Sequence, residues 1–126
     1  MALSDLLGTS FDCACGRKHH VPIRQLVYAA GAVESLPEIA RRCLDSDRLL
    51  PAAVVADTRT WDVAGGRVAD ALRTAGANVS RIIVPDRGSR GPVCDDVTCQ
   101  KLVEQLRPLR PQLVVAVGSG VINDLS

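Results

Sequence analysis

The sequence predicts an α/β protein with an open parallel sheet, and three observations support this prediction. Hydrophobic residues make up 47% of the 126 residues, yet Phe, Trp and Tyr occur only once each. The core must therefore consist of Val, Leu, Ile and Ala, which is typical of parallel sheets covered by helices. Short apolar runs alternate with segments of helical periodicity, and turn residues separate them. Such alternation predicts parallel strands joined by right-handed helical crossovers.

Four short apolar runs are the predicted strands. They are QLVYA at 25–29, AAVVA at 52–56, RIIV at 81–84 and QLVVAV at 112–117. Each run is followed within a few residues by a polar residue, a proline or a glycine that ends it. The α/β domain is therefore expected to cover residues 25–126, after an extension and a short hairpin at residues 1–24.

Three segments between these runs have the apolar periodicity of helices. They lie at 36–44, 61–75 and 96–106. The first is expected to begin with a capping box in Ser35-Leu36-Pro37-Glu38, and the second to end at Gly76. Pro108 is expected to end the third helix. Cys43 and Cys99 fall on the apolar stripes of the first and third helices.

Chain length, charge and cysteine usage narrow the class of protein. A chain of 126 residues can bury a core, and its net charge of +1 gives no reason to expect a nucleic-acid or acidic-membrane partner. The opening MALSDLLGTS carries Asp5, so it is neither a signal peptide nor a transit peptide, and no apolar run approaches membrane-spanning length. Five cysteines are an odd number, and such a core needs no disulfide. We therefore expect a cytoplasmic protein.

A cysteine and histidine cluster near the start of the chain raises the question of a metal site. Cys13, Cys15, His19 and His20 lie within eight positions. Structural zinc sites usually combine a CxxC pair with a well-separated second pair, and this spacing is cramped for a tetrahedron. Adjacent histidines on a strand also point to opposite faces. We therefore expect a β-hairpin with Gly16 in its turn rather than a metal site.

Three segments of candidate function follow predicted strands and so meet at one edge of the sheet. They are Asp57, the loop at 85–93 and the turn Gly118-Ser119-Gly120. Ligands of open parallel sheets bind beyond the carboxyl ends of the strands. Backbone N–H groups in a glycine turn can approach a pyrophosphate, and the N-terminus of a following helix adds positive potential. The turn departs from the usual dinucleotide fingerprint, because Asn123 holds the position of its third glycine.

Each of these segments also has a purely structural interpretation. Asp57 could accept hydrogen bonds from both hydroxyls of an adenosine ribose, or it could cap the following helix. Arg87 and Arg90 could reach a phosphate, or their loop could simply be solvated. Trp61 could pack against the sheet or beside an adenine. The pairing of Asp57 with a glycine turn favours a nucleotide as the ligand.

Two stretches of the chain resemble a known superfamily. Gly118-Ser119-Gly120-Val121-Ile122-Asn123-Asp124 is similar to the GGGxxxD turn of the iron-containing alcohol dehydrogenase and dehydroquinate synthase superfamily. Within that superfamily the turn most resembles bacterial sn-glycerol-1-phosphate dehydrogenases. Cys13-Ala14-Cys15-Gly16-Arg17-Lys18-His19 resembles the CxCGxxH segment near the start of those enzymes. Asp57 falls where the family places its ribose-binding acid. The chain departs from the pattern at Ser119, which replaces the middle glycine, and at Val121, where close relatives usually have Thr.

The resemblance implies a Rossmann-like NAD(P)-binding domain of a dehydrogenase that reduces dihydroxyacetone phosphate to sn-glycerol 1-phosphate. The cofactor-binding residues that it implies are Asp57, Gly118, Ser119, Gly120, Val121, Ile122 and Asp124. It also implies a divalent metal (zinc, nickel or iron) bound by an Asp and two His in a helical domain that follows the glycine turn. No residues of this sequence match those ligands. We therefore expect a truncated protein without catalytic or metal-binding residues, inactive alone, and we leave open whether it is a homo-oligomer.

Two alternative functions compete with this one. A glycerol or other polyol dehydrogenase of the same superfamily would need no phosphate-binding charges downstream. Ile122-Asn123-Asp124 and the cysteine segment favour the glycerol-1-phosphate dehydrogenase instead. A non-catalytic signalling domain would use Asp57 as a phosphoacceptor, and it would need an acidic pair after the first strand and a Lys after a late strand. Ala29-Ala30 and Val117-Gly118 occupy those places, so we prefer the dehydrogenase interpretation.

Overall fold

The chain divides into two compact units, Met1–Ala32 and Val33–Ser126. A computed structural model describes residues 2–47 and 51–126. The first unit contains an antiparallel hairpin of β1 (Ser10–Asp12) and β2 (Lys18–His20). Val21 extends the ladder, because its N–H donates to the carbonyl of Thr9 at 2.9 Å. The predicted N-terminal hairpin is confirmed, with Gly16 in the connection between its strands.

The prediction of a strand at residues 25–29 is wrong. Residues 21–28 have no regular secondary structure, Leu26 is 59% exposed and Tyr28 is 100% exposed. An apolar run becomes a strand only where a neighbouring strand supplies hydrogen bonds and a surface to pack on, so propensity alone misleads here. Over the residues that the structure describes, the parallel sheet therefore has three strands rather than the four predicted.

The second unit is built on that parallel sheet, whose strands stand in the order β4-β3-β5. The strands are β3 (Ala52–Ala56), β4 (Val79–Ile83) and β5 (Leu113–Val117). The bounds of β3 match the prediction, and all of its residues are buried because it is the central strand with both faces covered. Ala56 pairs with Ile83 on one side and with Val117 on the other, so the three strands end together.

Helices cover both faces of this sheet, which confirms the predicted α/β class. They are α1 (Leu36–Leu44), α2 (Thr58–Thr60), α3 (Gly66–Thr74), α4 (Asp96–Leu109) and α5 (Gly120–Leu125). Because side chains alternate along a strand, Ala52 and Val54 pack on α1 and α3, whereas Ala53 and Val55 pack on α4 and α5. No helix within the described ranges is long and apolar enough to cross a membrane.

The helix predicted at 61–75 begins at Thr58 and contains a π-helical turn, Trp61–Gly65, between α2 and α3. A Cβ atom on Gly65 would lie 2.9 Å from Cε3 of the Trp61 indole, so only glycine lets the ring lie against the helix there. The predicted stop is confirmed. The N–H groups of Gly76 and Ala77 donate to the carbonyls of Arg73 and Leu72, which is the Schellman pattern of a glycine-ended helix.

Other helix details differ from the prediction. The Ser35 side chain makes no cap hydrogen bond to α1, because Ser35 ends a 3-10 turn (Ala32–Ser35) and already has helical dihedral angles. Helix α4 continues past Pro108 to Leu109, because the proline lies in the last turn, where it removes only one hydrogen bond. Cys43 and Cys99 are exposed at the margins of their apolar stripes.

Candidate functional site

The candidate site is the edge of the sheet where the three parallel strands end. Asp57 directly follows β3, Gly118 directly follows β5, and Asp86 lies three residues after β4. The N–H of Val84 donates to the carbonyl of Ala56 at 2.8 Å, so the chain beyond β4 stays beside β3. The central strand therefore brings Asp57 next to the loop at 85–93 on one side and to the glycine turn on the other, as predicted.

Asp57 is a buried carboxylate, only 6% exposed, at the N-terminus of α2. The Thr60 N–H donates to Asp57 Oδ1 at 3.0 Å, and the Asp57 N–H donates to Thr60 Oγ1 at 3.0 Å. These reciprocal hydrogen bonds form a capping box, which is the structural alternative considered for this residue. Asp57 Oδ1 accepts the Thr60 N–H and lies 3.7 Å from Arg59 Nε, and Oδ2 is the second oxygen of this carboxylate.

Arg59 joins Asp57 to Asp86 across this edge. Its Nη1 and Nη2 donate to the two carboxylate oxygens of Asp86 at 3.0 and 2.9 Å, and its Nε lies 3.7 Å from Asp57 Oδ1. The hydrogen bonds to Asp86, with the negative charges of Asp86 and Asp57, raise the pKa of Arg59. Two carboxylates and one guanidinium leave one net negative charge at the end of the central strand.

The loop at 85–93 closes over Arg59 at Gly91, which is buried and has a φ of 80°. A Cβ atom on Gly91 would lie 2.9 Å from Arg59 Nη2. Neither Asp86 nor Gly91 was singled out from the sequence, since their contact with Arg59 spans about thirty positions. The signal that was available for Asp86 was its place just beyond a strand end, the same rule that identified Asp57.

Arg87 has partners close to it in the chain. Its guanidinium makes a bidentate contact with the Asp95 carboxylate, in which Nη2 lies 3.2 Å from Oδ1. Its backbone N–H donates to the Gly91 carbonyl at 2.9 Å. Asp95 also caps α4, because the Thr98 N–H donates to its Oδ1 at 2.9 Å. Hydrogen bonds from Thr98, and then the contact with Arg87, lower the pKa of Asp95. This pairing favours the structural interpretation of Arg87 over a phosphate contact.

The two glycines of the predicted cradle have different surroundings. A Cβ atom on Gly118 would lie 2.7 Å from Cγ1 of Ile122, so Gly118 makes room for a core side chain. A Cβ atom on Gly120 would meet nothing within 4 Å. Ser119, between the two glycines, has an extended backbone and directly precedes α5, and its side chain makes no cap hydrogen bond to that helix.

The residues after the turn divide between core and surface. Ile122 is 0% exposed and Val121 packs against the same core, whereas Asp124 is exposed. Ile122, with its backbone included, is therefore part of the core. Trp61 packs against the core on the other face of the sheet, with the Arg81 guanidinium 4.4 Å from its ring centroid. These contacts favour packing of Trp61 against the sheet over a place beside an adenine.

In the first unit, the hairpin connection brings three ligand-type side chains together. The donor atoms of Cys13, Cys15 and His19 all lie within 4.8 Å of one another, and Cys15 Sγ lies 3.1 Å from His19 Nε2. Hydrogen bonds from Cys15, its backbone first, lower the pKa of Cys13. His20 contacts Ser10 instead, with Nδ1 2.9 Å from the hydroxyl. The adjacent histidines thus have separate partners, as strand alternation predicts.

Comparison with known proteins relates the chain to one group of enzymes. The family model described as iron-containing alcohol dehydrogenase matches residues 27–126. The chain is 31% identical over 116 residues to glycerol-1-phosphate dehydrogenase (NAD(P)+) of Halalkalibacterium halodurans, a match that covers 91% of this chain and 28% of that enzyme. It is 27% identical over 121 residues to the Bacillus velezensis enzyme of the same name, with 94% and 29% covered.

A solved structure shares the fold. The crystal structure of glycerol dehydrogenase from Schizosaccharomyces pombe superposes with a TM-score of 0.56 at 22% identity, over 73% of this chain and 21% of that one. At this identity the likeness concerns the fold alone. The chain spans about 28% of the length of the first curated relative that it matches.

Proposed function

Because the chain belongs to the iron-containing alcohol dehydrogenase family, we propose that residues 25–126 form the cofactor-binding part of an NAD(P)-dependent sn-glycerol-1-phosphate dehydrogenase. The observation that carries the proposal is the pairing of Ala56 with Val117, which puts a buried carboxylate and a glycine turn on neighbouring strand ends. The proposed substrate is dihydroxyacetone phosphate, which agrees with the names of the two curated relatives.

In this proposal the pyrophosphate and the adenosine ribose of the dinucleotide occupy separate parts of the edge. The backbone of Gly118, Ser119 and Gly120 faces the pyrophosphate, and the open space at Gly120 lets the phosphate approach closely. The second carboxylate oxygen of Asp57 accepts hydrogen bonds from the adenosine ribose, while Oδ1 keeps its place in the cap. The backbone of Val121 and the exposed carboxylate of Asp124 complete the proposed site, whereas Ile122 belongs to the core. The cofactor supplies the hydride when it is bound.

The charge at this edge favours NAD over NADP. Asp57 is flanked by Arg59, but the guanidinium is already held by both oxygens of Asp86. One net negative charge therefore remains where the 2′-phosphate of NADP would lie, and like charges repel at such distances. We propose that the site accepts both cofactors and prefers NAD.

The family also implies a divalent metal, zinc, nickel or iron, and the described residues do not fit it. Their one cluster of converging donors consists of Cys13, Cys15 and His19, which is not the set of one Asp and two His implied by the resemblance. We therefore derive no catalytic step through a metal and propose that the chain alone does not reduce dihydroxyacetone phosphate. A reducing compartment such as the cytoplasm suits the five cysteines, which all lie in the described ranges and are free.

Titration with NADH tests this proposal, because the fluorescence of the reduced nicotinamide reports binding. The decisive variant is Gly120→Val, which places a branched side chain in the open space. Gly66→Val in α3 is the matched control, since Gly66 also lies in a helix and a Cβ atom there meets nothing nearer than 3.9 Å. We expect the first substitution to weaken NADH binding at least about tenfold, the size of one lost phosphate contact of roughly 1.4 kcal/mol. Equal affinity in wild type and Gly120→Val would contradict the proposed site.

A further inference from the structure

We propose that the hairpin of the first unit binds one zinc ion through Sγ of Cys13, Sγ of Cys15 and a ring nitrogen of His19. The proposal is independent of the nucleotide site, since it concerns other residues and another ligand. Two thiolates and an imidazole are the donors that zinc prefers in proteins, and a carboxylate and carbonyl set would have pointed to a harder cation.

The distances fit a tetrahedral ion. Zinc binds sulfur at about 2.3 Å and nitrogen at about 2.0 Å, so two ligand atoms on one ion lie roughly 3.5–3.8 Å apart. The three donor atoms lie within 4.8 Å of one another, and Cys15 Sγ is 3.1 Å from His19 Nε2. Movements of about 1 Å in side chains at the surface therefore bring all three onto one centre.

The backbone of the hairpin holds the three donors in place. Cys13 N donates to the Arg17 carbonyl and Gly16 N donates to the Cys13 carbonyl, each at 2.9 Å, which closes the connection between β1 and β2. His19 follows on β2, where its ring lies beside Phe11 with centroids 5.8 Å apart. The tight connection folds the CxC pair back toward the histidine, and this offsets the short sequence spacing.

Zinc would add stability to this short element. Strands β1 and β2 have three residues each, and an isolated two-stranded hairpin is marginally stable in water. Because the metal binds the folded arrangement of ligands, its binding free energy adds to folding. Three protein ligands leave the fourth tetrahedral position for water, and the exposure of Cys15 and His19 leaves that position accessible.

The test measures zinc affinity of the reduced, metal-free chain in competition with a chromophoric chelator. Cobalt then replaces zinc so that thiolate-to-metal charge-transfer absorption identifies sulfur ligands. The test variants are Cys13→Ser, Cys15→Ser and His19→Gln. Matched controls are Cys43→Ser, an exposed thiol outside the hairpin, and His20→Gln, the neighbouring imidazole that contacts Ser10. Circular dichroism of every variant establishes that the α/β unit remains folded.

We expect one zinc per chain, and each test variant should bind it at least about tenfold more weakly, since removing even an outer-shell partner of a metal ligand costs that much. The controls should bind as wild type does. The proposal is overturned if wild type binds no zinc in reducing buffer, if any of the three test variants binds as tightly as wild type, or if the control variants lose the metal equally.

Discussion

Arg59 donates hydrogen bonds to both carboxylate oxygens of Asp86, at 3.0 and 2.9 Å, and so joins the start of α2 to the loop that follows β4. The same guanidinium lies 3.7 Å from Asp57 Oδ1 and packs under Gly91. One side chain thus organises the strand-end region on the β4 side of Asp57. Arg59 therefore influences both the conformation of the loop at 85–93 and the charge around Asp57.

Replacing Gly91 with Ala should loosen this loop. The substitution forces a left-handed conformation on a residue with a Cβ atom, which costs about 1–2 kcal/mol, and it also displaces the Arg59 guanidinium. Gly88→Ala is the control, since Gly88 is also left-handed at a φ of 64° but a Cβ atom there meets nothing within 4 Å. Hydrogen exchange should be faster across 85–93 in Gly91→Ala than in Gly88→Ala. Equal exchange in both would show that Arg59 does not hold the loop.

The two glycines of the turn should differ in how much a substitution destabilises the protein. Gly118→Ala should destabilise the protein by about 1–3 kcal/mol, because the new Cβ atom meets the buried Ile122 side chain at 2.7 Å. Gly120→Ala, which faces open space, should leave the free energy of unfolding almost unchanged. Urea unfolding of both variants measures the difference. Loss of stability in Gly120→Ala equal to that in Gly118→Ala would contradict the packing described for this turn.

Asp57→Asn should shift cofactor preference from NAD toward NADP. Asparagine retains the helix cap as well as aspartate does, so the substitution removes charge with little change in folding. Asp57→Ala is the comparison, since it removes charge and cap together and should also lower stability by about 0.5–2 kcal/mol. Binding of NADH and NADPH to all three proteins gives the ratio of affinities. A ratio unchanged in Asp57→Asn would refute the role of this charge in selecting the cofactor.

The cap of α4 should respond to acid through Asp95. Its pKa is lowered in the folded protein by hydrogen bonds from Thr98 and by Arg87, so its contribution is complete above its unfolded value. That contribution is lost as pH falls through the lowered folded value. The stability difference between wild type and Asp95→Asn should therefore be constant near neutral pH and shrink in acid.

Thermal unfolding from neutral pH down to about pH 3 measures that difference. Asp96→Asn is the matched control, because it removes a charge from the same helical turn at a residue that is not the cap. A stability difference for Asp95→Asn that stays constant into acid would contradict the assignment.

The parts of the fold that followed from the sequence are those decided by local pattern. Strand β3 lies at the predicted residues because its apolar run is buried on both faces and is bounded by Pro51 and Asp57. The predicted strand at 25–29 had the same local pattern but is unpaired, and pairing is a property of the whole sheet. The stop at Gly76 needed only local chemistry and was correct.

The candidate site was predictable to the same extent. Asp57 and the glycine turn were found from their positions after strands, whereas Asp86 and Gly91 depend on the reach of Arg59 across the edge. The convergence of Cys13, Cys15 and His19 was missed because spacing was judged along the chain, and the hairpin connection shortens the distance through space. The burial of Ile122 was likewise not predicted, because a sequence motif specifies residue types and not their exposure.

Amide chemical shifts during NADH titration report where on the sheet a nicotinamide dinucleotide binds. We predict saturable shifts concentrated at Asp57–Thr60 and at the amides of Gly118, Ser119, Gly120 and Val121, with the hairpin amides of β1 and β2 unmoved. Saturable shifts located elsewhere, or no saturable shifts at all, would contradict binding where the three strands end.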